Sequence, residues 1–546
     1  MATVLTKKLL QETIETIQQV YMEDNIPWIC GYSGGKDSSA IVQLVWMALQ
    51  QLPKEKRTKT VHVISTDTLV ESPVVALWAS QSLKKMETAA DKDHDDLPLI
   101  PHRLTPQIQN TFWVNLIGRG YPAPRVNFRW CTDRLKIDAS NQFIKSILAA
   151  ESEAILVLGS RKAESATRRK VMEGYEEKRY REHLSPNGSY PNTYVFTPIE
   201  NWEDSMVWQF LMQHDNPWGH SNKDLLAMYR GASTDNECPL VVESGTPSCG
   251  GSRMGCWVCT MVTEDKSLSA MIQNDEEKAW MLPLLDFRNY IAGYKQDSAL
   301  TQNEIDRRRR DFRRMTGNLT WHNNRLVHGP YTKDVREDFL RRLLKLQLFI
   351  QKNSPKEVNN VELITMDELR FIRKIWLNEK HEFDDTLPII YKEVMGKDFE
   401  DNSIIKNKYF GKDEWDILSD VCQELYPDHK LLLELGSSLL DMEAKNSAIS
   451  ARRNVVKNLE AEIKHAYFKD EEDAEEMLRM RRKRLGLVDD SIYANEEDSD
   501  TDEPINSWRS LVCLNSLIRS VKVIFIQYRF QKSRLCTVSF FPYPIE

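Results

Sequence analysis

Short apolar runs recur through the first half of the chain and predict buried β-strands. Residues 28–30, 60–65 and 154–158 are rich in aromatic, β-branched or leucine side chains, and residues 97–100 form a fourth run. Segments with helical spacing of apolar residues separate these runs. Continuous apolar runs that alternate with helices are typical of parallel sheets with both faces covered. The pattern predicts an α/β fold with a doubly wound parallel sheet, which binds ligands at the carboxyl ends of its strands.

The N-terminus has helical spacing instead. Leu10, Ile14, Ile17 and Tyr21 fall on one face, which predicts an amphipathic helix rather than a signal peptide. No run of about 18 uncharged apolar residues occurs, so we expect no membrane span and no membrane partner. Nine cysteines without an export signal favour a reducing compartment and thiols used for metal or redox chemistry. We therefore expect a cytoplasmic protein.

The pattern divides the chain into four predicted segments. Residues 1–270 form the α/β domain with a cysteine-rich stretch, and residues 271–337 form a basic helical connector. Residues 338–487 have helical spacing and form a helical domain. Residues 488–546 begin as an acidic, polar linker and end in an apolar, basic tail to which no role is assigned.

Charge narrows the possible partners. The 546-residue chain has a net charge of −8, which argues against a protein whose whole surface binds nucleic acid. Two local basic runs remain, at residues 307–314 and 479–484. Each either contacts a DNA backbone or forms a solvated helix face. For residues 479–484 the solvated face is favoured, because the acidic residues before them suit the dipole of one helix.

A glycine-rich turn follows the first predicted strand and predicts a phosphate cradle. Glycines let the backbone turn tightly, and the N–H groups that open the next helix attract an anion. The spacing differs from the GxxxxGK[ST] loop of P-loop NTPases, and the alternative is a plain strand–turn–helix corner. The predicted phosphate ligands are Ser33, Gly34, Gly35, Lys36, Asp37 and Ser38.

Polar residues at two other strand ends extend this predicted site. Asp67 follows the run at residues 60–65, and Gly159 lets the chain leave the run at 154–158. Arg161 then presents a planar fork suited to phosphate, and Arg168 lies about two helical turns later. The alternative is a solvated basic helix face.

Residues 110–136 alternate aromatic side chains with Arg, Gly and Pro. Such a loop either stacks a base and pairs with phosphates or forms a packed aromatic corner. Cys131 lies within it, flanked by Arg129, Arg134 and Lys136. Nearby cations are expected to lower the pKa of the Cys131 thiol and to favour thiolate chemistry.

Four cysteines cluster in a segment rich in Gly and Pro: Cys238, Cys249, Cys256 and Cys259. Loops allow several thiolates to converge, so the cluster predicts a metal or iron–sulfur site over free thiols. Zinc sites with four cysteines usually show two CxxC pairs, and only one is present, which favours iron–sulfur over zinc. Cys131 is a possible substitute for one of the four ligands, or a redox or sulfur-carrying thiol.

The ordered set of motifs resembles the PAPS-reductase branch of the PP-loop ATP pyrophosphatases. The resemblance spans about residues 28–260 and includes the cysteine cluster. Residues 110–136 and the cysteine spacing are most similar to the DndC family, the sulfurtransferases of bacterial DNA phosphorothioation. The motifs are Ser33 to Ser38, Thr66-Asp67-Thr68, residues 129–136, Gly159-x-Arg161-x-x-Glu164-Ser165 and residues 198–208.

The resemblance implies an adenine nucleotide α-hydrolase-like fold and an enzyme that uses ATP, Mg²⁺ and a 4Fe–4S cluster. Such an enzyme acts with other Dnd proteins and a cysteine desulfurase, and replaces a non-bridging oxygen of the DNA backbone by sulfur. Carried over, the turn at residues 33–38 and Arg161 and Arg168 bind ATP phosphates, and Asp67 lies near the adenosine or its metal. Cys238, Cys249, Cys256 and Cys259 ligate the cluster. The residues implied in catalysis are Lys36, Asp37, Arg161 and Cys131.

One departure and three alternatives qualify this interpretation. The C-terminal cysteine motif of true PAPS reductases is not evident, since the last cysteine, Cys536, lies in Leu-Cys-Thr. Sulfur transfer to DNA is the main hypothesis, with tRNA thiolation or a PAPS/APS-type reduction as alternatives. From another class, the chain is a non-catalytic assembly module with a structural metal.

Overall fold

A computed structural model describes residues 4–484 apart from 92–95, 189, 233–254, 295–298, 323–324, 402–411, 426–432, 440–467 and 469. The chain forms two compact units that interleave along the sequence. The first comprises Met1–Phe112, Ala123–Ala292 and Leu346–Leu363, and the second comprises Trp113–Pro122, Gly293–Lys345 and Ile364–Glu546. The predicted boundaries near residues 270, 337 and 487 stay predictions.

The first unit is built on a six-stranded sheet with the strand order β3-β2-β1-β4-β6-β5. All neighbours pair in parallel except the edge pair β5 and β6, which is antiparallel. The strands are β1 (Trp28–Gly31), β2 (Val61–Thr66), β3 (Leu99–Leu104), β4 (Ala154–Val157), β5 (Ser185–Pro186) and β6 (Thr193–Phe196). The predicted α/β fold with a mostly parallel sheet is confirmed.

The strand order places β1 in the middle of the sheet. Trp28 of β1 pairs with Val61 on one side and Ile155 on the other. The chain proceeds outward from β1 to β3 and then returns to β4, so the order reverses beside β1. The crevice at such a reversal is where open α/β sheets bind ligands. The turn after β1 lies at this crevice.

Helices cover the sheet, and the one that follows β1 is the most deeply buried. Residues from Ala40 to Trp46 on this helix are fully buried between the sheet and its neighbours. The predicted N-terminal amphipathic helix is confirmed, since Ile14, Ile17 and Tyr21 are buried. The helices are α1 (Lys7–Met22), α2 (Lys36–Gln51), α3 (Pro73–Ala90), α4 (Asp138–Glu151), α5 (Ala166–Glu176), α6 (Asp204–Gln213), α7 (Asn222–Gly231), α8 (Lys266–Asn274) and α9 (Leu282–Ile291).

The second unit is mainly helical, as predicted. Within it, the indole N–H of Trp376 donates to the carbonyl of Ile117 at 3.1 Å, and Arg373 pairs with Asp385. A short hairpin joins β7 (Trp321–His322) and β8 (Arg325–Leu326). The helices are α10 (Gln302–Arg308), α11 (Lys333–Asn353), α12 (Met366–Asn378), α13 (Thr386–Met395), α14 (Lys412–Leu425) and α15 (Glu471–Arg484). The part of α11 from Leu346 onward belongs to the first unit.

In the part of the chain that the structure describes, no helix is long and apolar enough to cross a membrane. The predicted acidic linker and basic tail, residues 488–546, lie outside the described residues.

Candidate functional site

The turn after β1 forms the predicted cradle from its own backbone and two serines. Gly34 has a φ of +75°, and a Cβ at this position would lie 3.3 Å from the Trp78 ring. The Ser38 hydroxyl lies 3.1 Å from both the N–H and the hydroxyl of Ser33, which closes the turn. Gly35 then caps α2. The cradle therefore presents backbone N–H groups and serine hydroxyls at a helix N-terminus, where the dipole favours an anion.

A tyrosine from α7 covers part of this helix terminus. The Tyr229 hydroxyl accepts a hydrogen bond from the backbone N–H of Lys36 at 3.2 Å. It also lies 3.2 Å from the position that a Cβ on Gly35 would take. Sequence reasoning did not identify Tyr229, because nothing in its neighbourhood marks it. The hydroxyl therefore accepts a hydrogen bond from an N–H group that could otherwise donate to a phosphate oxygen.

A Tyr229→Phe variant is therefore expected to bind pyrophosphate about fivefold more tightly, since a net hydrogen bond is worth about 1 kcal/mol. Isothermal titration calorimetry measures the dissociation constant. Tyr194→Phe is the matched control, because its hydroxyl donates to Glu153 at 3.0 Å instead. Weaker binding by Tyr229→Phe alone would make Tyr229 a ligand of the anion rather than a competitor.

Lys36 and Arg161 share two carboxylates. Arg161 donates from Nε to Asp37 Oδ1 and from a terminal nitrogen to Asp204 Oδ1, both at 2.8 Å. Its other terminal nitrogen donates to the Trp202 carbonyl at 3.2 Å. The Lys36 ammonium lies 3.2 Å from Asp37 Oδ2 and 3.1 Å from Asp204 Oδ1. Two cations and two anions thus form one compact network beside the cradle.

The network keeps both cations charged. Burial alone lowers the pKa of a Lys or Arg, but the carboxylates of Asp37 and Asp204 raise the pKa of Lys36 and of Arg161 above their ordinary values. Arg161 is only 2% exposed. The Arg161 side chain is therefore more deeply buried than the side chains of Lys36 and Asp37. Its predicted contact with phosphate stays a prediction. Asp204 was not identified from the sequence, since it is far from Lys36 along the chain.

Packing explains why a glycine is needed at position 159, which its place in the sequence alone did not reveal. A Cβ here would lie 2.8 Å from the backbone oxygen of Asp37, closer than real side chains approach. The absence of a side chain lets the end of β4 approach the start of α2. Arg168, the other predicted phosphate ligand, pairs with Glu164 at 2.8 Å and approaches the Ser160 hydroxyl at 3.5 Å.

Asp67 lies at the end of β2, as predicted, and is held by a side chain that the sequence did not single out. Arg103 of β3 donates to Asp67 Oδ2 from Nε at 3.1 Å and also from a terminal nitrogen. The other carboxylate oxygen accepts the N–H of Leu69 at 2.8 Å. Nearby, burial raises the pKa of the Glu71 carboxyl to about 7. Asp67 is thus a fixed anion at the carboxyl edge of the sheet.

Two of the predicted cluster cysteines lie beside this edge. The backbone of Cys256 pairs with Glu71 in an antiparallel bridge, and its thiol lies 3.4 Å from the Thr68 hydroxyl. The Cys259 N–H donates to the Cys256 carbonyl at 3.0 Å, which forms the CxxC turn. Arg288 donates to the Cys259 carbonyl at 2.8 Å and fixes the turn from behind.

Cys131 lies near Cys259, and its predicted low pKa is wrong. Burial is the main cause that raises the pKa of the Cys131 thiol, and the proximity of Cys259 adds to it. Burial also raises the pKa of Cys256 to about 11. Two of the three flanking cations are engaged elsewhere, since Arg129 donates to the Val126 carbonyl and Arg134 to Asn110. The charge of the third, Lys136, acts on the Cys256 thiol. Cations that are close to Cys131 in the sequence are therefore not necessarily close to its sulfur atom in the fold.

The complete four-cysteine site stays a prediction. Cys238 and Cys249 lie outside the described residues. Among the described residues, no group of three or more His, Cys, Asp or Glu side chains is arranged to hold a metal ion. The donor chemistry nevertheless fits an iron–sulfur cluster, since Cys131, Cys256 and Cys259 are thiols in one region of the first unit.

The predicted basic runs of the second unit are engaged in ion pairs. Arg307 pairs with Glu471 and lies 3.7 Å from Glu475. The others for which the structure gives ion pairs are Arg310 with Asp306, Arg313 with Asp311, and Arg479 with Glu475. The carboxylates neutralise much of the charge that the sequence displays, which favours structural roles for these arginines.

Residues 27–261 match the family model of the phosphoadenosine phosphosulfate reductase domain. Comparison with curated proteins gives no match. The PAPS reductase of Candida auris in a phosphate complex is 12% identical, with a TM-score of 0.24 over 39% of this chain and 89% of that chain. The U34-tRNA thiolase NcsA of Methanococcus maripaludis, solved with its [4Fe-4S] cluster, is 12% identical, with a TM-score of 0.25 over 54% of this chain and 84% of that chain. The first half of the chain thus contains a PAPS reductase-like domain.

Proposed function

We propose that this protein is an ATP-dependent sulfurtransferase that activates a DNA backbone phosphate for replacement of a non-bridging oxygen by sulfur. One observation carries the proposal. The cradle with Lys36 follows β1, and the Cys256–Cys259 turn pairs with the segment that follows β2, the strand beside β1. A polyphosphate site and a pair of thiols therefore belong to the same edge of one sheet. This arrangement suits chemistry that couples ATP to sulfur.

The proposed first step forms a mixed anhydride. A non-bridging oxygen of a DNA phosphate attacks the α-phosphorus of MgATP, and the bond to the β-phosphate oxygen breaks to release pyrophosphate. Lys36 and the N–H groups at the start of α2 stabilise the charge that develops on the leaving pyrophosphate. The buried network holds Lys36 as a cation at this position.

The second step replaces oxygen by sulfur. Sulfide attacks the activated DNA phosphorus, a P–S bond forms, and AMP leaves with the former phosphate oxygen. Phosphorus and sulfur keep their oxidation states, so the step needs no external oxidant or reductant. We propose a cysteine desulfurase as the source of the sulfur, with a thiol reductant that releases sulfide from its persulfide and is itself oxidised to a disulfide, and other Dnd proteins as partners at the DNA.

The thiols are proposed to hold an iron–sulfur cluster. Cys256 and Cys259 would bind it, with Cys238 and Cys249 or Cys131 completing the ligand set. When bound, the cluster would supply iron for holding sulfur close to the activated phosphate. Arg288 keeps the backbone of the CxxC turn in place through the Cys259 carbonyl.

The test supplies the full chain, purified anaerobically, with ATP, sulfide and either duplex DNA or tRNA. We expect pyrophosphate release and phosphorothioate linkages in the DNA, detected by mass spectrometry after nuclease digestion. Sulfur found in tRNA but not in DNA would instead identify the activity as tRNA thiolation. In a parallel assay with PAPS and a thiol reductant, sulfite formation, together with no sulfur in either nucleic acid, would indicate a reductase. No pyrophosphate release from ATP would favour an assembly module.

A Cys256→Ser variant is expected to lose most of its bound iron and sulfide, because the CxxC turn provides two of the proposed ligands. Metal and sulfide analysis after anaerobic purification measures the loss. Cys422→Ala is the matched control, since this buried thiol lies in the second unit and has no proposed metal role. Full iron content in Cys256→Ser would remove this cysteine from the ligand set.

A further inference from the structure

Helix α5 buries none of its side chains. Its 11 residues, Ala166–Glu176, lie directly after the segment that carries Arg161, and the Ser165 hydroxyl caps its first turn by accepting the N–H of Arg168. Helices of this length usually depend on burying one face, because short isolated helices are marginal in water. Val171 and Tyr175 are instead 54% and 38% exposed on this helix. The exposed face is therefore available to a partner.

Helix α5 carries two basic side chains that have no partner among the described residues. Arg169 and Lys170 are exposed, and in the part of the chain that the structure describes neither side chain has a hydrogen bond or an ion pair. Of the two glutamates on the same helix, Glu176 is paired with Lys162, and Glu173 is the one carboxylate left on α5 beside Arg169 and Lys170. In the runs at residues 307–314 and 479–484, by contrast, four arginines pair with carboxylates: Arg307, Arg310, Arg313 and Arg479. The free cations attract a polyanion.

The helix also begins at the proposed reaction site. Arg168 approaches Ser160, which lies between Gly159 and Arg161, and Arg161 binds Asp37 of the cradle. A phosphodiester backbone that lies along Arg168, Arg169 and Lys170 would therefore run past the phosphate cradle. We propose that α5 is the surface on which duplex DNA docks, with Arg169 and Lys170 contacting backbone phosphates. This inference rests on the proposed function, because it assumes that the acceptor is DNA.

The test compares two charge reversals that change the net charge equally. Arg169→Glu/Lys170→Glu alters α5, and Lys7→Glu/Lys8→Glu alters two exposed lysines of α1. Fluorescence anisotropy measures the affinity of each full-length protein for a duplex of about 20 base pairs over a series of salt concentrations. Thermal unfolding confirms that both variants fold, as expected for positions that bury no side chain.

We expect the α5 variant to bind the duplex at least about tenfold more weakly, and its slope of log affinity against log salt to fall by about two, one for each lost phosphate contact. The affinity for ATP, measured without DNA, should stay unchanged. Equal loss of affinity in the α1 control would overturn the docking surface but not the acceptor. Absence of duplex binding by the unaltered protein, or tighter binding of tRNA, would overturn both.

Discussion

A Lys36→Met variant is expected to release pyrophosphate from ATP about 100- to 1000-fold more slowly than the unaltered protein, the usual cost of removing one pre-positioned charge-stabilising donor. Methionine preserves the length and packing of the side chain but removes the charge. The ammonium lies at the N-terminus of α2 and is held within 3.2 Å of Asp37 and 3.1 Å of Asp204. Because it is positioned before the substrate arrives, its contribution is made without reorganisation in the transition state.

The release of pyrophosphate under anaerobic conditions, with DNA and sulfide present, measures this effect. Lys85→Met is the matched control, since Lys85 is an exposed lysine that donates to the Gly219 carbonyl away from the cradle. Its rate should stay within about twofold of the unaltered protein, as surface substitutions usually do. A Lys36→Met protein with an unchanged rate would show that ATP is not cleaved at this turn.

The sequence was sufficient where function depends on local backbone geometry. The glycine turn after β1 was predictable because Gly34, Gly35 and the serines close a loop with contacts only a few residues apart. The strands β1, β2 and β4 were predictable because they are buried on both faces and therefore continuously apolar. The edge strand β5 and its neighbour β6 were not predicted, since β5 has only two residues and both strands lie in a polar stretch.

The sequence was insufficient where a site is assembled from distant segments. Tyr229, Asp204 and Arg103 reach the carboxyl edge of the sheet from α7, the first turn of α6 and the end of β3. No local pattern distinguishes them from ordinary surface residues, because their partners are set by the tertiary fold.

Predictions made from the formal charge along the chain were wrong for the same reason, because the partners of a charged side chain are set by the tertiary fold. Arg129 and Arg134, which flank Cys131, donate to a carbonyl and an amide oxygen, and burial rather than their charge governs the pKa of the thiol. Within residues 307–314, Arg307, Arg310 and Arg313 pair with carboxylates from the same unit, including Glu471. Whether a basic run is free to bind phosphate depends on its acidic neighbours in space. By that criterion, α5 is a better candidate for a phosphate-binding surface than residues 307–314.

The second large effect concerns Arg161, whose side chain is 2% exposed. Arg161→Met is expected to lower the free energy of unfolding by about 3 kcal/mol, because Asp37 and Asp204 lose the cation that they share. This value is at the lower end for breaking a buried pair, since 26% of the Asp37 side chain and 21% of the Asp204 side chain reach solvent. Urea unfolding measures the change. Lys8→Met, in an exposed pair with Glu12, is the control and should cost less than about 0.5 kcal/mol.

A double-mutant cycle then separates the network from simple loss of packing. Asp204→Asn alone removes one anion and leaves the Arg161 guanidinium with Asp37. In Arg161→Met/Asp204→Asn the uncompensated carboxylate is also gone, so the double variant should be at least about 1 kcal/mol more stable than the sum of the two single effects predicts. Strictly additive effects would mean that Arg161 acts through its packing alone. Because Lys36 shares Asp204 Oδ1 with Arg161, coupling would also mean that the cradle's cation is positioned by a charge buried behind it.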